Sequence, residues 1–327
     1  MTGIQVEGLT KTYRRGLAGD RVRALADVSL AIAPGEAFGI IGPNGAGKTT
    51  FLGCLLGFLR PDAGRITIDG RPPDDLAVRS VTGYLPERLV LDRWMTGAEF
   101  LAYHHALARL PSDSRHVEVE AALERVGLAE ASRRAIRGYS RGMLQRLGLA
   151  QAMLGRPRYL FLDEPASGVD PAGVVLFRRL LSELARQGVT VILNSHQLDQ
   201  VERVCDRVAF VKAGRVEAIE TVAAGAAHAR VLRVRSADGP ALTRERLAAL
   251  AGESGAALVD MNGREARFTV ADDAGAARLL QTLIGAGVPI AEATPEESRL
   301  ERLFLESAPE ATGPATPPPS ASPRGPA

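Results

Sequence analysis

The stretch Gly42-Pro43-Asn44-Gly45-Ala46-Gly47-Lys48-Thr49-Thr50 restricts this chain more than any other. It satisfies G-x-x-x-x-G-K-[ST] without a mismatch. The apolar run Ala37-Phe38-Gly39-Ile40-Ile41 before it reads as a buried strand, and residues 51–56 after it read as a helix. Strand, glycine loop and helix in that order make a cradle for a triphosphate. Where side chains are small, backbone N–H groups can point at phosphate oxygens, and the helix adds the positive end of its dipole. Lys48 is placed to reach the β- and γ-phosphates, and Thr49 to set its hydroxyl on Mg²⁺. Lysine usage agrees: among 40 basic residues only Lys11, Lys48 and Lys212 are lysines. A chain that otherwise uses arginine keeps lysine where a compact ammonium must fit among phosphates.

Further along, Tyr159-Leu160-Phe161-Leu162 is a short apolar strand that ends in two consecutive acids, Asp163 and Glu164. Packing does not require paired carboxylates at a strand tip. Beside a phosphate loop, Asp163 can hold Mg²⁺ and Glu164 can orient or deprotonate an attacking water. A third apolar strand, 189–193, runs into Asn194-Ser195-His196, where His196 is a candidate γ-phosphate sensor. Val81-Thr82-Gly83-Tyr84-Leu85-Pro86-Glu87 reads as a strand passing into a loop. Tyr13 is, with Phe38, one of two aromatics before the glycine loop; it is either a platform for a stacked base or a surface tyrosine. Ser140 opens an amphipathic helix, where N-capping is a sufficient role for it. Asp170-Pro171 opens another.

The remaining pattern places these pieces. Residues 4–9 alternate as an edge strand does, and 28–32 form a second strand. Residues 96–137 turn helical, with Phe100, Leu101, His104, Leu107 and Ala108 at helical spacing. Val208-Ala209-Phe210-Val211 and Gly214-Arg215-Val216 read as a closing hairpin. Cys54 and Cys205, both placed in helices, are too few for a disulfide framework and read as buried thiols of a reducing, cytoplasmic compartment. The sequence shows no signal peptide and no apolar run near the ~18 residues that span a bilayer. A net charge of +2 with dispersed arginine argues against nucleic acid as a partner.

In this order the motifs resemble the nucleotide-binding subunit of an ATP-binding cassette (ABC) transporter, over about residues 3–220. Gly42 to Thr49 looks like its Walker A loop, and Leu160-Phe161-Leu162-Asp163-Glu164 like Walker B with the catalytic glutamate. Ser167-Gly168-Val169-Asp170 resembles the D-loop, His196 the switch histidine and Tyr13 the adenine-stacking aromatic. Tyr139-Ser140-Arg141-Gly142-Met143 stands where the Leu-Ser-Gly-Gly-Gln signature is expected. Glu87 stands where the family usually has a glutamine, and a carboxylate only accepts hydrogen bonds, so Glu87 remains a Mg²⁺ ligand but not a donor. Together with Gln145-Arg146, the signature resembles the branch serving ABC-2-type export.

The resemblance implies an α/β P-loop cassette: a mixed sheet core, an antiparallel β subdomain and a helical subdomain at about 88–138, within 1–221. It implies ATP and Mg²⁺ as cofactors, a second ABC subunit paired head to tail, and a separate polytopic membrane permease. The chain would then be cytoplasmic and peripheral on the inner face of the membrane. Ser140 and Gly142 of one subunit would meet ATP held by Lys48 of the other. The alternative is a non-transport ABC ATPase acting on ribosomes or DNA.

Residues 222–306 read as β-α-β-β-α-β, a small ferredoxin-like α+β domain. Glu297-Ser298-Arg299-Leu300-Glu301-Arg302-Leu303-Phe304-Leu305-Glu306 resembles an ending common in ATPases of drug-export ABC systems. Residues 307–327 hold seven of the 20 prolines and read as a disordered tail.

Overall fold

A computed structural model describes residues 2–15, 20–222, 230–237, 243–296 and 302. The drug-export-like ending at 297–306, residue 302 apart, and the proline-rich 307–327 lie outside the described residues.

The chain starts with β1 (Ile4–Arg15) and β2 (Asp20–Ile32), then β3 (Ala37–Ile41), the glycine loop and α1 (Lys48–Leu55). β4 (Ala63–Ile68), α2 (Leu76–Arg79) and β5 (Thr82–Leu85) follow. A helical stretch holds α3 (Gly97–Leu107), α4 (Arg115–Arg125), a 3₁₀ turn at Ile136–Gly138 and α5 (Arg141–Ala152). β6 (Tyr159–Asp163), α6 (Pro171–Arg186), β7 (Thr190–Asn194), α7 (Leu198–Glu202), β8 (Arg207–Lys212) and β9 (Arg215–Thr221) complete the part that carries the motifs. Beyond it come β10 (Arg230–Ser236), α8 (Arg244–Glu253), β11 (Ala257–Asn262), β12 (Glu265–Val270), α9 (Asp273–Gly285) and β13 (Ile290–Pro295).

The central sheet has the order β5-β6-β7-β3-β8-β9, parallel except for the β8–β9 hairpin. β3, β6 and β7 are buried along their whole length. This is the expected state of parallel strands covered on both faces. Because side chains alternate, one strand feeds two cores. Leu160 and Leu162 enter a core shared with α3 to α6, while Tyr159 and Phe161 enter a core shared with α1 and the N-terminal strands. Each such side chain contributes about 1.5–3 kcal/mol on burial. All parallel strands end at the same edge of the sheet, so the loops after β3, β5, β6 and β7 converge there. In open parallel sheets that edge is where ligands bind.

β2-β1-β4 is a separate antiparallel sheet. The edge position expected for residues 4–9 is therefore wrong: β1 is the middle strand, paired on both sides. Its alternation reports one solvent-facing surface, not a free edge. β2 also begins at Asp20, well before residue 28, as a charged ribbon whose polar residues hide its period.

The helical stretch forms, with a shifted face. Thr96 and Glu99 make a capping box at the start of α3. His105, rather than His104, is fully buried, and Leu107 and Ala108 are exposed. His105 Nε2 lies 3.3 Å from Glu118 Oε2 of α4, and neither ring nitrogen of this buried histidine has a hydrogen-bond partner. The helix expected for Cys205 ends sooner, since α7 stops at Glu202; the thiol is nonetheless buried and free, as is Cys54 in α1.

β10 to β13 form a four-stranded antiparallel sheet of order β11-β12-β10-β13, with α8 and α9 packed into a core of its own around Phe268, Leu279 and Leu283. The chain order is β-α-β-β-α-β, as the sequence pattern indicates.

Candidate nucleotide site

The loop between β3 and α1 wraps around its own lysine. Lys48 is 7 % exposed, and its Nζ donates to the carbonyls of Gly42 at 2.8 Å and Pro43 at 3.1 Å. Burial lowers the Lys48 pKa, while Glu164 and Asp163 pull it back up. Only glycine fits at Gly47: φ is 104°, and a Cβ would come within 2.3 Å of the Ala24 carbonyl oxygen. Thr49 is exposed on the first turn of α1, facing the same space as the loop.

Across from Lys48 stand the strand-end acids. Asp163 is the last residue of β6 and is 4 % exposed. Its register partner on β7 is Asn194. Burial raises the Asp163 pKa; the Asn194 hydrogen bond opposes this, Glu164 and Glu87 add to it, and Lys48 counters it. Glu164 follows in left-handed backbone, with φ of 49°, and its N–H donates to the Asn194 carbonyl at 2.9 Å. One carboxylate oxygen of Glu164 lies 2.8 Å from His196 Nδ1 and accepts from the Ser195 hydroxyl at 3.4 Å. The same field reaches Tyr84, whose phenol is pushed up to about 12, mainly by burial and then by Asp163 and Glu87.

These groups share a cleft of about 670 Å³. Asn44, Gly45, Ala46, Gly47, Lys48, Thr49 and Thr50 line one wall. Asp163, Glu164, His196 and the exposed Glu87 line another. Tyr13, half exposed on β1 and paired with Val22 of β2, lines the cleft as well. Gly42 and Pro43 contribute to the site through the carbonyls that hold Lys48. Ser140, Gly142 and Asp170 are not among the lining residues. Ser140 caps α5 by accepting from Met143 N–H at 3.2 Å, and Asp170 caps α6 by accepting from Gly173 N–H at 2.8 Å. Tyr139 is buried, with its hydroxyl donating to the Ala131 carbonyl at 2.7 Å.

Sequence reasoning missed the supports of the acids. Asn194 and Ser195 were visible only as polar residues at the end of an apolar strand. Gln145 of α5, which the sequence marked only as part of the signature region, donates to the Glu164 carbonyl at 3.4 Å.

Residues 25–167 match the family model described as ABC transporter. An uncharacterised ABC transporter ATP-binding protein of Synechocystis is 42 % identical over 216 residues, covering 65 % of this chain and 61 % of that protein. A daunorubicin resistance ATP-binding protein of Streptomyces coeruleorubidus is 38 % identical over 217 residues, covering 66 % of this chain and 67 % of that protein. A methionine import ATP-binding protein of Thermobifida fusca is 38 % identical over 220 residues, covering 65 % and 68 %. The chain thus spans about three fifths to two thirds of the length of these relatives. Among solved structures, a dimeric post-hydrolysis state of an ATP-binding cassette bound to ADP and Pi superposes with a TM-score of 0.62 at 25 % identity, covering 67 % of this chain and 98 % of that one. The glycine loop, Glu87, Asp163 and Glu164 lie within residues 25–167, and the chain belongs to the ABC transporter ATP-binding protein family.

Proposed function

We propose that this chain binds and hydrolyses ATP with Mg²⁺ and, paired head to tail with a second copy, powers export through a separate polytopic membrane permease. The observation that carries this reading is the division of the motifs. Lys48, Asp163, Glu164 and His196 face one cleft, whereas Ser140 and Gly142, at the start of α5, do not line it. A head-to-tail pair brings the second set to the first. ATP then favours the closed pair because it contacts that state better.

Within the cleft, Lys48 and the loop N–H groups hold the phosphates, and Tyr13 stacks on the base. Glu164 accepts the proton of the attacking water, and His196, 2.8 Å from it, stays oriented towards the γ-phosphate. The donors fit Mg²⁺. Among the described residues no group of three or more His, Cys, Asp or Glu forms a metal cage. Mg²⁺ is instead held by one or two carboxylates and substrate phosphates. Asp163, crowded by Glu164 and Glu87, is an oxygen ligand short of positive charge. Thr49, Asp163 and Glu87 would hold the ion, which supplies charge neutralisation at the phosphates.

The ATPase unit in this reading is 1–221, with the helical subdomain at 88–138 and a second domain at 222–306. The signature Tyr139-Ser140-Arg141-Gly142-Met143 and the drug-resistance relative support export. The relatives' names favour transport over action on ribosomes or DNA. Among the described residues no helix is long and apolar enough to cross a membrane, so this reading assigns translocation to a partner and this chain to the inner membrane face.

The test is to recover Glu164→Gln protein with ATP and Mg²⁺ from solubilised membranes. Co-purification of a polytopic membrane protein supports the proposal; recovery of ribosomes or nucleic acid alone overturns it.

A further inference from the structure

The start of α5 is fastened to the segment that carries the catalytic carboxylate. Arg141 Nη2 donates to the Ser167 hydroxyl at 3.1 Å. Its side chain lies flat on Gly168, where an added Cβ would come within 2.4–2.5 Å of Arg141 Nε, Cδ and Cζ. Gly168, with φ of 71°, leaves that surface free of a side chain. One residue on, a Cβ at Gly142 would stand 3.8 Å from Val169 Cγ1. One turn later, Gln145 Nε2 donates to the Glu164 carbonyl. Positions 141, 142 and 145 share a helix face, and the whole face sits on residues 164–169. Ser167 in turn lines the nucleotide cleft, and its N–H donates to the Glu164 carbonyl at 3.1 Å.

We propose that Arg141 is a positioning residue that couples the two nucleotide sites of the dimer. It stands where the family signature has a glycine, which could make neither contact. Through Ser167 and Gly168 it ties Ser140 and Gly142, which face the partner's nucleotide, to Glu164 of its own site. Closure around one ATP is thereby transmitted to the catalytic carboxylate of the other. An arginine suits the task because its planar guanidinium can lie on a bare backbone and donate from its edge at the same time. The inference rests on the head-to-tail pairing proposed above.

The test is steady-state ATP hydrolysis by the full chain, measured against ATP concentration for the parent, Arg141→Ala, Ser167→Ala and the double variant. Each single variant should lower kcat about 10-fold, the worth of a charge-assisted hydrogen bond. The Hill coefficient should drop towards one, with ATP affinity of the isolated Arg141→Ala subunit unchanged. The double variant should be no worse than the worse single, because both remove one contact. Arg141→Lys, which keeps the charge but not the plane, should recover only part of the rate.

Unchanged kcat and Hill coefficient in Arg141→Ala overturn the proposal. So do single effects that multiply in the double variant, which would mean that Arg141 and Ser167 act independently. The pairing itself is checked separately: if otherwise unaltered Glu164→Gln shows no ATP-dependent dimer, the dimer reading fails before Arg141 is tested.

Discussion

Asn194 donates from Nδ2 to Asp163 Oδ1 across 2.5 Å, joining the ends of two adjacent parallel strands. The donor opposes the rise that burial gives the Asp163 pKa, while Asn194 Oδ1 itself is buried without a hydrogen-bond partner. An amide is thus held partly unsatisfied in order to set a neighbour. Asn194→Ala should weaken Mg²⁺ about 10-fold, as loss of a residue that orients a ligand does. It should also move the acid limb of the ATPase pH profile upward, because the bond now lowers the Asp163 pKa. Mg²⁺ titrations of turnover between pH 5 and 9 check both; an unmoved acid limb counts against the role.

Asp163→Asn should abolish turnover and yet stabilise the nucleotide-free protein. The folded Asp163 binds its proton more tightly than the ordinary carboxylate value of 3.8. The native state therefore loses stability as pH rises from that value to the raised one, and carries the full deficit above it. Asparagine removes the buried charge and can still accept from Asn194. The gain should be present in full at neutral pH. It should vanish below the ordinary carboxylate value, as denaturant melts at acid and neutral pH would show.

Lys48→Ala should lower ATP affinity about 100-fold, corresponding to one strong charge-assisted contact. Lys48→Arg should not rescue it, because the loop carbonyls of Gly42 and Pro43 are set around an ammonium rather than a planar fork. Titration with a fluorescent ATP analogue measures both; near-parental affinity for the arginine variant contradicts this account of the loop.

Tyr139→Phe separates structure from chemistry in the signature. It removes one buried hydrogen bond, to Ala131, and should cost about 1 kcal/mol of stability. ATP turnover at 25 °C should stay within about two-fold, since the hydroxyl faces the helical stretch and Tyr139 does not line the cleft. A large loss of turnover with normal stability would give Tyr139 a part in the reaction.

Glu164→Gln should retain ATP and lose about 10²–10⁴-fold in turnover, the typical share of a general base. Single-turnover phosphate release is the measurement, and residual turnover near the parental rate would move the base elsewhere.

The parts legible in the sequence are those with a short period or a local spacing. The strand at 37–41, the glycine loop and the acids after Leu162 each announce themselves within ten residues. Parallel strands are continuous apolar runs, so β6 and β7 were found nearly to the residue. Position within a sheet is not local, which is why β1 read as an edge. The face of α3 slipped because His104 and His105 are chemically equal in a pattern, and only tertiary packing, which buries His105, chooses between them. The contacts of Asn194 with Asp163 and of Arg141 with Ser167 join residues 31 and 26 positions apart, and no spacing rule reaches that far.

Glu164 occupies backbone that suits glycine. A strand points consecutive side chains to opposite faces, and the left-handed turn at Glu164 breaks that alternation just where two acids must face one ligand. Selection for a sturdier fold and selection for turnover therefore favour different residues at this position. A library of variants sorted by thermal resistance should accumulate glycine or asparagine at 164, and one sorted by ATP turnover should keep glutamate alone.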